Sequence, residues 1–453
     1  MYKVTNPATG EVIEEYPTAT DDQIRDAIER ADREYKSWRE RPVEERAAIV
    51  RRAAELFEER TDEFAAIITE EMGKRTVEAK GEMGIVVSIF NYYADKGPGL
   101  IADEPLEVDG AEAVVKKTPI GALIGIMPWN FPVYQVARFA APNLVLGNTI
   151  ILKHAPSCPK SAAAIEKLLV EAGVPADAYI NVYATNEQIA WALADPRIQG
   201  VSLTGSDRAG AQVAAVAGQN LKKVVLELGG SDPMIVLDSD DVAKTAKIAA
   251  ASRLGNTGQA CNSPKRMIVM SDIYDEFVDK LTERMAAYEP GDPSDPSTKL
   301  APLSSIEAAE KVEKQVEEAV KAGAKLRIGG KRYSDRPGAY FQPAVLTDVK
   351  PGMAAYQEEI FGPVAMVFKA DTEEEAIELA NDTPYGLGSG VFSGDPEKAR
   401  RVGEQIEAGM VYINAAGGSR ADVPFGGIKR SGIGRELGPL GIEEFMNKKV
   451  IRV

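Results

Sequence analysis

Cys261 closes the run Asn256-Thr257-Gly258-Gln259-Ala260-Cys261, a polar, glycine-containing loop between a helical stretch and a strand opening at Arg266. A thiol in such a loop is placed to react, whereas a structural cysteine sits more often inside an apolar run. On the residues alone both readings stand. The second cysteine, Cys158, lies in Ala155-Pro156-Ser157-Cys158-Pro159 near a helix start and reads as structural. A thiolate nucleophile needs a stabiliser for the oxyanion it creates and, for hydrolysis, a base. The chain has one histidine, His154, and none near Cys261 in sequence, so the base is expected to be a carboxylate or similar group, with His154 as a weaker alternative. Glu227 interrupts the apolar run Val224-Val225-Leu226-Glu227-Leu228 just before Gly229-Gly230. At the C-terminal end of a parallel strand it would lie where active sites form; an ion pair at the sheet edge is the alternative. For the oxyanion, Asn130 offers a lone amide within Met127-Pro128-Trp129-Asn130-Phe131-Pro132, although a turn-forming asparagine would look the same. Gly205-Ser206-Asp207-Arg208-Ala209-Gly210 follows a strand and opens a helix, a setting that suits a pyrophosphate at a helix N-terminus. It is not the G-x-G-x-x-G fingerprint, and two glycines are a weak signal.

These groups need elements to hold them. Thr20 to Gln23 forms a capping box, followed by Ile24, Ala27, Ile28, Ala31 and Tyr35 at helical spacing. Pro42 opens a second helical stripe (Ala48, Ile49, Ala53, Leu56, Phe57), with Gly73 as its stop. Val108-Asp109-Gly110 places a turn between two extended stretches in 103–118, either a projecting assembly arm or a plain surface hairpin. From about 120 to 230 strands and helices alternate. Extended runs at Thr149–Lys153, Ile180–Tyr183, Gly200–Leu203 and Lys222–Leu228 are separated by helical runs at Ser161–Glu171, Glu187–Ala194 and Asp207–Ala217. The second half continues with strands at Met234–Leu237, Arg266–Met270, Val364–Phe368 and Met410–Asn414. Helices fall at about 240–253, 272–287, 305–322, 373–381 and 395–407. Such alternation implies βαβ units and parallel sheets.

The chain has 453 residues, enough for two or three cores. It carries 53 basic and 69 acidic side chains, a formal charge of −16. That average field repels nucleic acid and favours solubility, while helix N-termini still leave local sites for anionic cofactors. No run of about 18 apolar residues is present to cross a bilayer. The N-terminal residues have no apolar signal region, so a cytoplasmic location is expected. Two cysteines and one histidine exclude a four-thiolate zinc site and any metal site needing two histidines.

Taken together, the segments PWNFP (128–132), LTGS (203–206), LELGG (226–230), GQAC (258–261), EEIFGPV (358–364) and PFGGIKRSGIGRE (424–436) resemble the aldehyde dehydrogenase superfamily, in the family's order and over nearly the whole chain. The resemblance implies an α/β fold: a Rossmann-type NAD(P)-binding domain (1–102 and 119–227), an α/β catalytic domain (228–430), and a small β oligomerisation element (103–118 with 443–453) that would build a homodimer or homotetramer. It implies Cys261 as nucleophile, Asn130 with the Cys261 backbone N–H as oxyanion hole, and Glu227 as the base that activates water. Lys153 and Glu359 match residues that hold the cofactor's riboses. Trp129 and Ser206 match contacts to its phosphates, where Gly205 and Gly210 also belong, and Phe361 matches the neighbour of the nicotinamide ribose. No metal is implied.

The wording MPWNFPVYQVARFAAP, LKHAP and LELGGSDP is similar to the succinate-semialdehyde dehydrogenase branch. Arg138 and Ser419 match carboxylate ligands there, and an always-charged, forked donor suits an acidic substrate. Some members carry another arginine six residues before the nucleophile; here that position is Gly255, and Arg420 is a candidate substitute. NAD-preferring members often have a glutamate three residues after the lysine matching Lys153. Pro156 stands there instead, so nothing acidic repels a 2′-phosphate, and NAD or NADP is expected with a lean to NADP. Ser263 replaces the second cysteine that some relatives carry two residues after the nucleophile. Three rivals remain: a CoA-acylating dehydrogenase, disfavoured by Glu227; a non-catalytic protein of the same fold; and a cysteine hydrolase using His154.

Overall fold

The computed structural model describes residues 1–453. The β-branched and aliphatic runs of the first half assemble into one six-stranded sheet. Its spatial order is Gly432–Ile433, Lys223–Glu227, Ile198–Thr204, Ala122–Met127, Thr149–His154 and Tyr179–Asn181. The last five strands pair in parallel, and Gly432–Ile433 closes one edge antiparallel to Lys223–Glu227. Chain order reverses between Ala122–Met127 and Ile198–Thr204, and open parallel sheets bind ligands at the C-terminal ends of strands at such a point. Immediately beyond those two ends stand Pro128-Trp129-Asn130 and Gly205-Ser206.

A second sheet of seven strands runs Lys325–Ile328, Ala344–Thr347, Val364–Ala370, Arg266–Met270, Pro233–Val236, Gly388–Phe392 and Met410–Ile413, parallel except at its first pair. Cys261 lies just ahead of its Arg266–Met270 strand. The hairpin Glu104–Val108/Ala111–Pro119 turns at Asp109-Gly110 and pairs with Met446–Arg452 as a separate three-stranded sheet. Leu106, Val108, Val450, Ile451 and Val453 remain exposed on it. No helix is long and apolar enough to cross a membrane.

Local signals set many boundaries. Both hydrogen bonds of the Thr20/Gln23 capping box form, and Gly73 ends its helix with φ +74°. The stripe expected from Pro42 to Gly73 is two helices, Val43–Glu59 and Thr61–Met72, because Arg60 (φ −109°, ψ 21°) leaves the helical region between them. The last helix expected over 395–407 is shorter, Pro396–Gly403.

Two helices carry no amphipathic signature. Tyr134–Leu146 is buried at every residue, so it has no polar face. Thr76–Leu100 contains Gly81, Gly84, Gly97, Gly99 and Pro98, poor helix formers all. One of its glycines, Gly97, has a tertiary reason at the crossing of the two helices, whereas Gly81, Gly84 and Gly99 face open space. A Cβ on Gly97 would stand 2.5 Å from Val145 Cγ1. Together these helices supply the wall behind the site.

Candidate active site

Helix Val242–Leu254 ends in a tight turn where Asn256 (φ 49°) and Thr257 (φ 55°) adopt left-handed backbone. Such residues cost about 1–3 kcal/mol each and persist only where the surroundings hold them. Here Asn256 Nδ2 donates to the carbonyls of Asn130 (3.0 Å) and Gln259 (3.1 Å), and Thr257 Oγ1 donates to Ala301 O (3.1 Å). Asn130 Nδ2 in turn donates to Gln259 O at 3.0 Å, which leaves its second N–H for a ligand. The backbone N–H of Cys261 donates to no group of the chain. Asn130 and Cys261 line the same cavity, so both donors are available to an oxyanion formed there.

Two cavities meet at Cys261. One, of about 680 Å³, is lined among others by Trp129, Asn130, Gly205, Ser206, Glu359 and Phe361. Ser206 caps helix Asp207–Gln219, so that helix directs its N-terminal amides and positive dipole end at the cleft. Trp129 and Phe361 meet edge to face, with centroids 5.8 Å apart. Gly229 leaves the space into which Glu359 reaches: a Cβ there would lie 2.5 Å from Glu359 Oε2. A cleft of this volume with an amide-rich helix end, a carboxylate and aromatic walls fits a dinucleotide. Arg430, paired with Asp207 at 2.7 Å, also lines it and was not singled out from sequence. Lys153, Pro156 and Gly210 are not part of its wall. Lys153 is buried at the end of its strand, and burial alone depresses its amine. Pro156 is exposed. Gly210 faces Leu228, where a Cβ would come 2.6 Å from Cδ2.

The other cavity, of about 440 Å³, is lined by Lys74, Glu82, Tyr134, Arg138, Ser419 and Phe425 among others. Gln135 and Cys261 border both cavities. Tyr134 and Ser419 hydroxyls are hydrogen-bonded at 2.9 Å. Arg138 is 1% exposed. Its Nε pairs with Glu436 at 2.7 Å, while Nη1 and Nη2 make only long contacts to Tyr134 (3.4 Å) and Thr204 (3.3 Å) hydroxyls. Glu436, the last residue of the 424–436 motif, also accepts from Ser202 at 3.1 Å. Arg420 does not take up the role suggested for it. It is exposed, pairs with Asp422 at 2.8 Å and lines neither cavity, because its loop turns it to solvent.

Glu227 is 2% exposed and lines neither cavity in this conformation. It lies behind Gly426, where a Cβ would come 2.6 Å from Glu227 Oε1. Both its oxygens lack hydrogen-bond partners. Burial pushes its carboxyl well above the usual range, with Arg138 pulling the other way. Burial likewise pushes the Cys261 thiol up to about 12, opposed by Arg138 and Lys265. His154 is committed elsewhere. One ring nitrogen is 2.8 Å from Pro132 O, the other accepts from Ala155 N at 2.8 Å, and burial lowers its pKa to about 4. A Cys–His hydrolase has no support in this geometry. Cys158 is fully buried at a helix start, as a structural cysteine should be.

Arg253 is a further residue that sequence reasoning passed over. Fully buried, it donates to Gly258 O (3.2 Å), Ser263 Oγ (2.8 Å), Val364 O (2.7 Å), Ile360 O (2.9 Å) and Gly362 O. It thereby clamps the Cys261 loop to the loop bearing Glu359 and Phe361. An arginine at the end of an unremarkable helical stretch carries no local sign of that task.

Known proteins agree with this architecture. The aldehyde dehydrogenase family model matches residues 1–451. A succinate-semialdehyde dehydrogenase [NADP(+)] of Deinococcus radiodurans is 54% identical over 451 residues, covering 100% of this chain and 94% of the relative. One from Mycobacterium bovis is 44% identical, covering 98% of each. Among solved structures, one described as giving insight into cofactor and substrate selection by Gox0499 superposes with a TM-score of 0.98 at 46% identity, covering 100% of this chain and 99% of that one. Succinic semialdehyde dehydrogenase from Streptococcus pyogenes in complex with NADP+ gives 0.97 at 43%, with the same coverage. A full-length family match and relatives of this identity, on a fold whose two cavities meet at a cysteine, lead to one conclusion: the chain belongs to the aldehyde dehydrogenase family.

Proposed function

We propose that the protein oxidises succinate semialdehyde to succinate with NADP, and less readily with NAD, through a thioester on Cys261. The observation that carries the reading is the position of Cys261 at the junction of the two cavities. The larger has the donors of a dinucleotide cleft, and the smaller is lined by Arg138, Ser419 and Tyr134 among others. A carboxylate in the smaller cavity would replace the long hydroxyl contacts of the two Arg138 Nη groups with charge-assisted hydrogen bonds. The relatives named for this substrate and for NADP support the same choice.

The chain's residues divide the chemistry. Cys261 adds to the aldehyde carbon, and the resulting oxyanion is held by Asn130 Nδ2 and the Cys261 N–H, an effect typically worth about 3 kcal/mol per donor. A bound nicotinamide supplies the two-electron acceptor that turns this adduct into a thioester. Trp129, Gly205, Ser206, Glu359 and Phe361 line the cleft and would hold the dinucleotide, with Lys153 assigned to a ribose by the family resemblance rather than by the cleft wall, and Pro156 placing nothing acidic against a 2′-phosphate. Glu227 then takes a proton from water. Its burial favours the protonated form and it lines neither cavity, so this role requires its side chain to move toward the thioester before it accepts that proton. We further propose a cytoplasmic enzyme assembled as a homodimer or homotetramer through the three-stranded arm, whose exposed Leu106, Val108, Val450 and Ile451 suit burial against a second copy. The division into a cofactor domain (1–102, 119–227) and a catalytic domain (228–430), implied by the family resemblance, is part of the same proposal, and the presence of two separate large sheets supports it.

The test is kcat/KM for succinate semialdehyde against butanal, each with NADP and NAD, followed as absorbance at 340 nm without CoA. A large preference for the acidic aldehyde is expected. Equal values would return the substrate to an unspecified aldehyde, and a requirement for CoA would reject hydrolysis by Glu227.

A further inference from the structure

Lys265 lines neither cavity and its side chain is 0% exposed. A buried ammonium is costly unless paired and hydrogen-bonded. Nζ of Lys265 donates to the carbonyls of Cys261 (2.8 Å), Ala260 (2.9 Å) and Ser263 (3.3 Å), all in the nucleophile's own turn. It also pairs with Glu359 Oε1 at 3.2 Å, a carboxylate reaching in from a neighbouring loop and bonded to Gly230 N–H at 3.2 Å. Gly230 has no room for a side chain, since a Cβ there would stand 2.5 Å from Cys261 O. The Lys265 backbone N–H donates to Asp232 O at 3.0 Å. The ammonium therefore joins the Cys261 turn to the Glu359 loop, and the Lys265 backbone N–H ties both to the 229–232 segment.

Its charge also acts on the thiol. Arg138 and Tyr134 act on Cys261 from helix Tyr134–Leu146, Lys265 from its own turn, Glu359 from the facing loop, and Asp232 from the start of the next strand. Arg138 is offset by Glu436 at 2.7 Å, and Lys265 by Glu359 at 3.2 Å. The two cations oppose the burial that keeps the thiol protonated, while Glu359 and Asp232 reinforce it. We infer that Lys265 is a positioning residue for the nucleophile, its buried ammonium fixing the Cys261 backbone and favouring the thiolate, with Glu359 as its antagonist. This rests on the reading of Cys261 as the nucleophile.

The experiment is alkylation of the full-length protein by iodoacetamide as a function of pH, without added cofactor, with the adduct located by mass spectrometry so that Cys158 is scored separately. Lys265→Met should slow alkylation of Cys261 about tenfold at fixed pH, the size of one unit of thiol acidity, and lower kcat more than it changes KM. Lys265→Arg restores a cation and should recover most of the alkylation rate. Glu359→Gln should move the profile to lower pH. A Lys265→Met profile equal to wild type, or a Lys265→Arg protein as slow as Lys265→Met, overturns the inference. If Lys265→Met does not fold, Glu359→Gln decides: a midpoint unchanged or raised overturns it. Failure of the underlying reading is separate, since it would appear as aldehyde oxidation surviving in Cys261→Ala.

Discussion

Replacing Gly258 with alanine tests how rigidly the nucleophile is held. Gly258 has φ +74°, a left-handed conformation that costs an alanine about 1–2 kcal/mol. Its Cβ would stand 2.5 Å from the carbonyl carbon of Gly362 and 2.9 Å from Pro363 N, both backbone atoms that no rotamer can move. Carbon contacts relax at about 3.5 Å, so the two loops must part by roughly 1 Å. Arg253 resists, because the same guanidinium holds Gly258 O at 3.2 Å and Ile360 O at 2.9 Å. One loop carries Cys261 and the other carries Glu359 and Phe361, so the strain falls on the reacting geometry. A misplacement of about 1 Å costs on the order of 100-fold in rate. The expected outcome is kcat lowered about 100-fold in the 340 nm assay, a raised KM for NADP, and a protein that still melts cooperatively but at lower temperature. A folded Gly258→Ala variant within twofold of wild-type kcat would refute the reasoning, because it would mean that the loops separate freely and that Arg253 is not a clamp.

Arg138→Lys keeps a cation for Glu436 but loses the forked Nη edge. KM for succinate semialdehyde should rise at least tenfold while that for butanal changes little, and equal effects in steady-state kinetics would reject a carboxylate contact. Arg138→Ala is a poorer test, since orphaning buried Glu436 costs about 3–5 kcal/mol of stability. Glu227→Gln should leave thioester formation intact and slow its hydrolysis on the order of 100-fold or more, seen as a burst of one NADPH per site followed by slow turnover; a normal steady rate without a burst would acquit Glu227. Asp232, raised by burial to about 7 from 3.8, holds its proton longer in the folded state. Its contribution to stability is therefore complete below pH 4 and lost as pH rises toward 7. Asp232→Asn should flatten the fall in unfolding free energy over that window, measured by urea titration at several pH values; an unchanged slope would show that Asp232 is ionised throughout.

Much of the fold was legible because its signals are local. Thr20 and Gln23 cap one helix with their own side chains, Gly73 stops another because a left-handed residue was needed, and the Val224–Leu226 run could be little but a buried strand. The helices Thr76–Leu100 and Tyr134–Leu146 were not legible. One is buried on every face, and the other carries Gly97, whose purpose, close approach to Val145, exists only once the two helices cross.

The site divides in the same way. Sequence determined the reactive types: a thiol in an open loop, an amide among prolines and aromatics, and a carboxylate ending an apolar strand. It also determined the family, through six motifs in order. The tertiary structure alone decided that Cys261 stands where two cavities join, that Arg138 answers first to Glu436, and that Glu227 lies behind Gly426, outside both cavities. It also brought Arg253 to carbonyls of a loop distant in sequence and set Glu359 against Lys265. The physical reason is the range of the interactions. Helix caps and strand alternation are settled within a few residues, whereas ion pairs and the desolvation of a buried charge depend on which distant segments close around it.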